Sequence, residues 1–131
     1  MGEYYRQIAS YFRQCASSMQ VEKAAIDEKI HRLRDASSAL AIKIESIQVQ
    51  SRSLSQILPL DSTQFKGSRQ EDFEEKFHSL ETELSNFCSG HENNKQTIDD
   101  KIQTLTSESS DLQNKINNYY RQARVYDNLD D

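Results

Sequence analysis

Residues 57–73 read Ile57-Leu58-Pro59-Leu60-Asp61-Ser62-Thr63-Gln64-Phe65-Lys66-Gly67-Ser68-Arg69-Gln70-Glu71-Asp72-Phe73, and the apolar rhythm of the chain stops here. Pro59 disfavours helical backbone at Leu58. Ser68 followed by Glu71 has the spacing of a capping box, which starts a new helix. The stretch predicts a helix over about 3–58, a turn over about 59–67 and a second helix over about 68–128.

Working outward, the N-terminal arm places Tyr5, Ile8, Phe12, Cys15, Met19, Glu22 and Ile26 alternately three and four residues apart. It steps by four to Ile30, then continues through Leu33, Ser37, Leu40, Ile44, Ile47, Ser51, Leu54 and Leu58. The C-terminal arm runs Phe73, Phe77, Leu80, Leu84, Phe87, His91, Asn94 and Ile98, steps by four to Ile102, and continues Leu105, Ser109, Leu112, Ile116, Tyr119, Ala123 and Tyr126. A period between three and four residues belongs to a helix. Each extra step of four reads as a stutter, which locally relaxes a left-handed supercoil. With stutters near 28 and 100 laid side by side, facing residues have numbers summing to about 128, and the turn centres on Gln64. The expected fold is all-α: a single domain, 1–131, forming a long antiparallel two-helix hairpin with coiled-coil-like packing, which pairs with another helical chain in a bundle.

Composition narrows the class. Only 35% of the residues are apolar, a fraction that suits a thin seam rather than a globular core. Three Gly, one Pro and no strand-like run leave little room for a sheet. The net charge is −5, with the excess acid in residues 65–131, so a phosphate backbone is an unsuitable partner and no nucleic acid is expected. No segment has the length and hydropathy of a membrane span, and the N-terminus lacks a signal peptide's apolar region. Cytoplasmic synthesis is expected. Met1-Gly2 lacks the Ser or Thr at position six that would complete a myristoylation signal, since Arg6 stands there.

Little in the chain suggests catalysis. Glu28 with His31 and Glu75 with His78 repeat the Glu-x-x-His pairing of di-iron bundles, yet both pairs avoid the apolar stripe, so no metal site is expected. Cys15 faces position 113 and Cys88 faces position 40 in the expected register, too far apart for a disulfide, and both read as packing residues. His91 occupies the stripe and is expected to face Ser37 in a polar layer that sets register. Ser89-Gly90 is a place where a helix bends. No nucleophile–base motif or glycine-rich phosphate loop occurs. The chain reads as a non-enzyme without cofactor or small-molecule substrate.

A stripe interrupted by Glu22, Ser37, Ser51, His91, Asn94 and Ser109 buries little per residue, so arms of this length need a protein partner. The residues expected to bind it are Phe12, Met19, Ile26, Leu33, Leu40, Ile44 and Ile47 on the first arm, with Phe73, Phe77, Leu80, Phe87, Leu105, Leu112, Ile116 and Tyr119 on the second. All six tyrosines, Tyr4, Tyr5, Tyr11, Tyr119, Tyr120 and Tyr126, map to the open end of the hairpin. Tyrosine combines an apolar ring with a hydrogen-bonding tip and suits either an interface or a zipper against fraying.

The turn residues Phe65-Lys66-Gly67, followed by Phe73 and Phe77 early in the second arm, resemble the Trp-x-Gly turn of the helical-hairpin proteins of Gram-positive type VII (ESX-like) secretion systems. Phe65 stands where that family usually has Trp. The arms look most like the accessory hairpins encoded beside LXG-type toxins. The resemblance implies a targeting factor or chaperone that binds the helical N-terminal domain of an LXG-like toxin, alongside a second small helical accessory protein, and meets the secretion apparatus. It also implies an export pattern, Tyr-x-x-x-Asp/Glu, met here by Tyr126 and Asp130, and passage through the type VII route without a cleaved signal peptide. The alternative is a structural or adaptor coiled-coil hairpin that self-associates or scaffolds other helical proteins.

Overall fold

The computed structural model describes residues 2–57 and 67–130. They form two helices, α1 (Gly2–Ser55) and α2 (Ser68–Asp130), paired as a helical hairpin with no strand among the described residues. α1 ends before position 58 because the Ile57 N–H donates to the Leu54 carbonyl at 3.0 Å, a turn instead of a further helical step. Gly67 has a φ of 87°, in the left-handed region that a residue without Cβ enters readily. Its carbonyl accepts the N–H groups of Gln70 and Glu71, which begins α2. Gln64, Phe65 and the capping hydroxyl of Ser68 lie outside the described residues. α2 is continuous through Gly90.

The chain divides into two compact units, residues 1–34 with 100–131, and residues 35–99. In the first unit Ala9, Ala16 and Ile30 of α1 are buried with Leu105, Ser109, Leu112, Ile116 and Ala123 of α2. The α1 series Ala9, Ala16, Lys23, Ile30 and the series Tyr5, Phe12, Met19, Ile26, Leu33 each keep a strict spacing of seven, while Glu22 is exposed. The expected stutter is therefore absent. Ala9 and Ala16 take the seam positions that the larger Ile8 and Cys15 had suggested, and those two residues flank the seam, half-buried. An alanine methyl leaves room for rings beside it. Phe12 lies 6.0 Å from Tyr119 and stacks on Tyr126 at 5.7 Å, and Tyr5 lies 6.2 Å from Tyr126.

The second unit keeps the same heptad. Phe77 is buried, and Leu84, His91 and Ile98 follow at sevens, interleaved with half-buried Glu74, Glu81, Cys88 and Lys95. Here too a stutter was expected and none is present. Phe73, Leu80, Phe87 and Asn94, expected in the seam, are exposed. Polar residues replace them because Glu and Lys lay their methylene stems along apolar surface while the charged tip reaches water.

Without stutters the alignment built on them has no anchor, and the register differs. Ser37 pairs with Asp99 and Ser55 with Glu81 in the second unit, and Asp27 pairs with Ser109 in the first, with residue numbers that sum to 136; Gln48 with Glu92 in the second unit, and Arg13 with Asp127 and Gln20 with Tyr120 in the first, sum to 140, and none of these sums to 128. The displacement of about eight to twelve residues is two to three helical turns, roughly 12–18 Å. Ser37 accordingly meets Asp99 rather than His91. Cys88 sits beside Gln48 and Glu92, not position 40. Both thiols are free.

Candidate interaction surface

The register is held by two polar clusters of the same design. In the first unit the Ser109 hydroxyl donates to Asp27 at 2.6 Å, and the Lys23 ammonium reaches the other carboxylate oxygen at 2.8 Å. In the second, Ser37 donates to Asp99 at 2.5 Å and Lys95 binds its other oxygen at 2.8 Å. Each helix thus supplies Lys-x-x-x-Asp to one cluster and a seam serine to the other, and in each helix that serine lies fourteen residues after the lysine, 23 to 37 and 95 to 109. The repeated spacing was present in the sequence and is the one signal that would have found these residues.

The lysine beside each aspartate, with the serine hydroxyl second, holds both carboxyls below the usual carboxylate range. A folded-state pKa below the unfolded value contributes stability that is complete above the unfolded value and is lost as pH falls through the folded one. The wild type should therefore lose its stability advantage over the Asp27→Asn/Asp99→Asn double variant as pH falls below about 4. Urea midpoints of the two proteins at stepped pH check this. A constant difference across that range would remove the clusters from the pH response.

Within each unit the two edges of the seam are unlike. Taking Ala9 of α1 and Ala123 of α2 as position a, the residues at position e of the two helices line one edge and those at g line the other. Six helix-to-helix hydrogen bonds among the described residues fall on the e edge. They join Arg13 to Asp127, Gln20 to Tyr120 and Asp27 to Ser109 in the first unit, and Ser37 to Asp99, Gln48 to Glu92 and Ser55 to Glu81 in the second. On the g edge of the second unit α2 carries apolar side chains over residues 73–87, while α1 supplies Lys43 and Gln50 there. Phe73, Leu80 and Phe87 stand there at sevens, 41%, 43% and 56% exposed. Beside Phe87 a groove of about 420 Å³ is lined by Lys43, Ser46, Ile47, Gln50 and His91. His91 meets the Phe87 ring edge-on at 4.3 Å, and its buried Nδ1 has no hydrogen-bond partner among the described residues.

The expected partner-binding residues divide accordingly. Ile44, Phe77, Leu105, Leu112 and Ile116 are buried in the hairpin's own seam, and Phe12, Met19, Ile26, Leu33, Leu40, Ile47 and Tyr119 are half-buried along it. Phe73, Leu80 and Phe87 are the exposed ones. Tyr126 is half-buried against Phe12 and Tyr5, so its ring is a packing element of the first unit. Asp130 ends α2, and its side chain lies outside the described residues.

The Glu-x-x-His pairs are engaged along their own helices, with Glu28 bound by Arg32 and His78 by Glu81. Among the described residues there is no cluster of His, Cys, Asp and Glu suited to a metal ion, and no helix long and apolar enough to cross a membrane. Burial, with Glu92 adding to it, pushes the Cys88 thiol above its usual pKa, which makes it a poor nucleophile at neutral pH.

No curated protein sequence matches the chain. A family model described as YwqH-like matches residues 8–125, nearly the whole of both helices, and the chain belongs to the YwqH-like family of small helical proteins.

Proposed function

We propose that this chain is a type VII secretion accessory protein that binds the helical N-terminal domain of an LXG-like toxin and helps target it for export. Membership of the YwqH-like family, whose proteins are small, helical and associated with LXG toxins, supports the toxin context. The observation that carries the binding role is the Phe73, Leu80, Phe87 stripe on the g edge. Three large apolar side chains at heptad spacing form half of a coiled-coil interface, and a helix laid along them removes that surface from water. The same helix would bring a polar group within reach of His91 Nδ1, relieving an unsatisfied buried atom.

Co-expression with the products of adjacent genes, followed by size exclusion with light scattering, tests the reading. A heteromer is expected, and Leu80→Glu or Phe87→Glu should abolish it while the hairpin stays helical. Failure to form any heteromer sinks the proposal. The export role of Tyr126 is better tested with Tyr126→Phe than with Ala, because the ring packs on Phe12 and Tyr5 and its removal would loosen the helix ends. Loss of secretion by Tyr126→Phe or Asp130→Ala, with the heteromer intact, is the expected result. Unchanged secretion would take both residues out of the signal.

A further inference from the structure

The exposed stripe has a symmetry that a general helix-binding surface does not need. Phe73, Leu80 and Phe87 read the same in both directions about Leu80, and the residues between them on the neighbouring helical row are Lys76 and Glu83, of opposite charge. Both are exposed, and Lys76 makes an ion pair within its own helix turn, with Asp72 at 3.2 Å.

We infer that the stripe binds a second copy of this chain, α2 against α2 and antiparallel, with a two-fold axis at Leu80. In that arrangement Leu80 meets the second copy's Leu80, and Phe73 meets its Phe87. The same rotation brings Lys76 beside the second copy's Glu83 and Glu83 beside its Lys76. A parallel two-fold would put the Lys76–Glu83 rows of the two copies on opposite edges of the contact, out of reach of each other, so only the antiparallel pair gains these opposite-charge contacts. A two-fold contact uses one patch on both partners and closes at two copies, which gives a dimer and not a filament. Because the contact uses only residues 73–87 of α2, it leaves the intrachain seam and both Ser–Asp–Lys clusters in place.

The inference goes beyond the toxin reading and does not depend on it, since it concerns the chain without a partner. It does make a second copy and a toxin helix competitors for one stripe. The dimer would then be the form of the free protein, and partner binding would convert it to a heteromer.

Sedimentation equilibrium of the purified chain over a dilution series tests this, with circular dichroism confirming helical content in each variant. The wild type is expected to show a concentration-dependent monomer–dimer equilibrium, and Leu80→Glu, which sets two carboxylates on the axis, to stay monomeric. Lys76→Glu and Glu83→Lys should each weaken the dimer by about tenfold, because each turns two attractive contacts into repulsive ones. The combined Lys76→Glu/Glu83→Lys variant restores opposite charges across the axis and should recover dimerisation. A monomeric wild type at every concentration overturns the inference, as does a dimer indifferent to Leu80→Glu. Failure of the combined variant to recover overturns the antiparallel arrangement on which it rests. A chain that stays monomeric yet still forms the co-expressed heteromer would leave the toxin reading standing.

Discussion

Ile116→Ala is expected to destabilise the hairpin by about 3 kcal/mol, in the lower half of the usual range for deleting a buried Ile side chain. Ile116 is 1% exposed and is the largest side chain so completely buried among the described residues. It stands in the strict heptad of α2 with Leu112 four residues before it and Ala123 one heptad on, both also buried. A two-helix seam can close partly over the void by shifting side chains, which keeps the cost below what a globular core would impose. The matched control is Leu80→Ala, which removes an apolar side chain that is 43% exposed in the chain itself. That change should cost no more than about 0.5 kcal/mol in the monomer. Urea denaturation at concentrations where the chain is monomeric gives both numbers. Equal costs would mean that the seam described for the first unit is not where the hairpin's stability lies.

The contrast between those two residues marks how far the sequence could be read. Helix and hairpin were legible because they rest on plain features of the sequence: two runs of three-four apolar spacing, separated by one short stretch where that spacing stops. The face that each helix turns inward was harder. In the second unit the apolar Phe73, Leu80 and Phe87 compete with Glu74, Glu81 and Cys88 one position later, and hydrophobicity by itself selects the former set. The chain takes the other set, because only it continues in phase with Phe77, Leu84 and His91 on one side and Lys95, Ile102 and Ser109 on the other. A strict spacing of seven over the whole helix outweighs three large side chains over part of it, since a seam must stay on one face to be paired along its length.

The register was lost for a connected reason. Two stutters at matching distances from the turn gave an alignment, but each was created by choosing the more apolar neighbour at one end of an arm. The real alignment is set by polar residues. Lys23, Asp27 and Ser109, with their counterparts Lys95, Asp99 and Ser37, interact through directed hydrogen bonds that a shift of one turn would break. Half-buried charges of this kind raise no signal on a hydrophobicity scale. The repeated Lys-x-x-x-Asp and its serine fourteen residues on are visible only to a search for internal symmetry. The exposed stripe was in turn hidden in plain view: its three residues were named as partner-binding together with twelve that the hairpin packs along its own seam.

Ala16→Leu decides between the two readings of the first unit and is expected to cost about 2 kcal/mol. Ala16 has no exposed surface, and it occupies the strict heptad between Ala9 and Lys23 where the helices lie close enough for the rings of Phe12 and Tyr119 to approach within 6.0 Å of each other. Three added carbon atoms have no space there, so they must push the helices apart or drive the rings out of contact. Because those rings connect through Phe12 to Tyr126 and on to Tyr5, the disturbance should extend along the aromatic ladder and reduce its near-ultraviolet circular dichroism. Cys15→Leu, one position earlier, adds comparable bulk at a flanking site that is only half-buried, and should be within about 0.5 kcal/mol of the wild type. The order of the two variants is the informative result. A stuttered seam would put Cys15 inside and leave Ala16 at its edge, making Cys15→Leu the costly change and Ala16→Leu nearly neutral. An uninterrupted heptad demands the reverse, and only that order is compatible with a pairing in which Asp27 reaches Ser109.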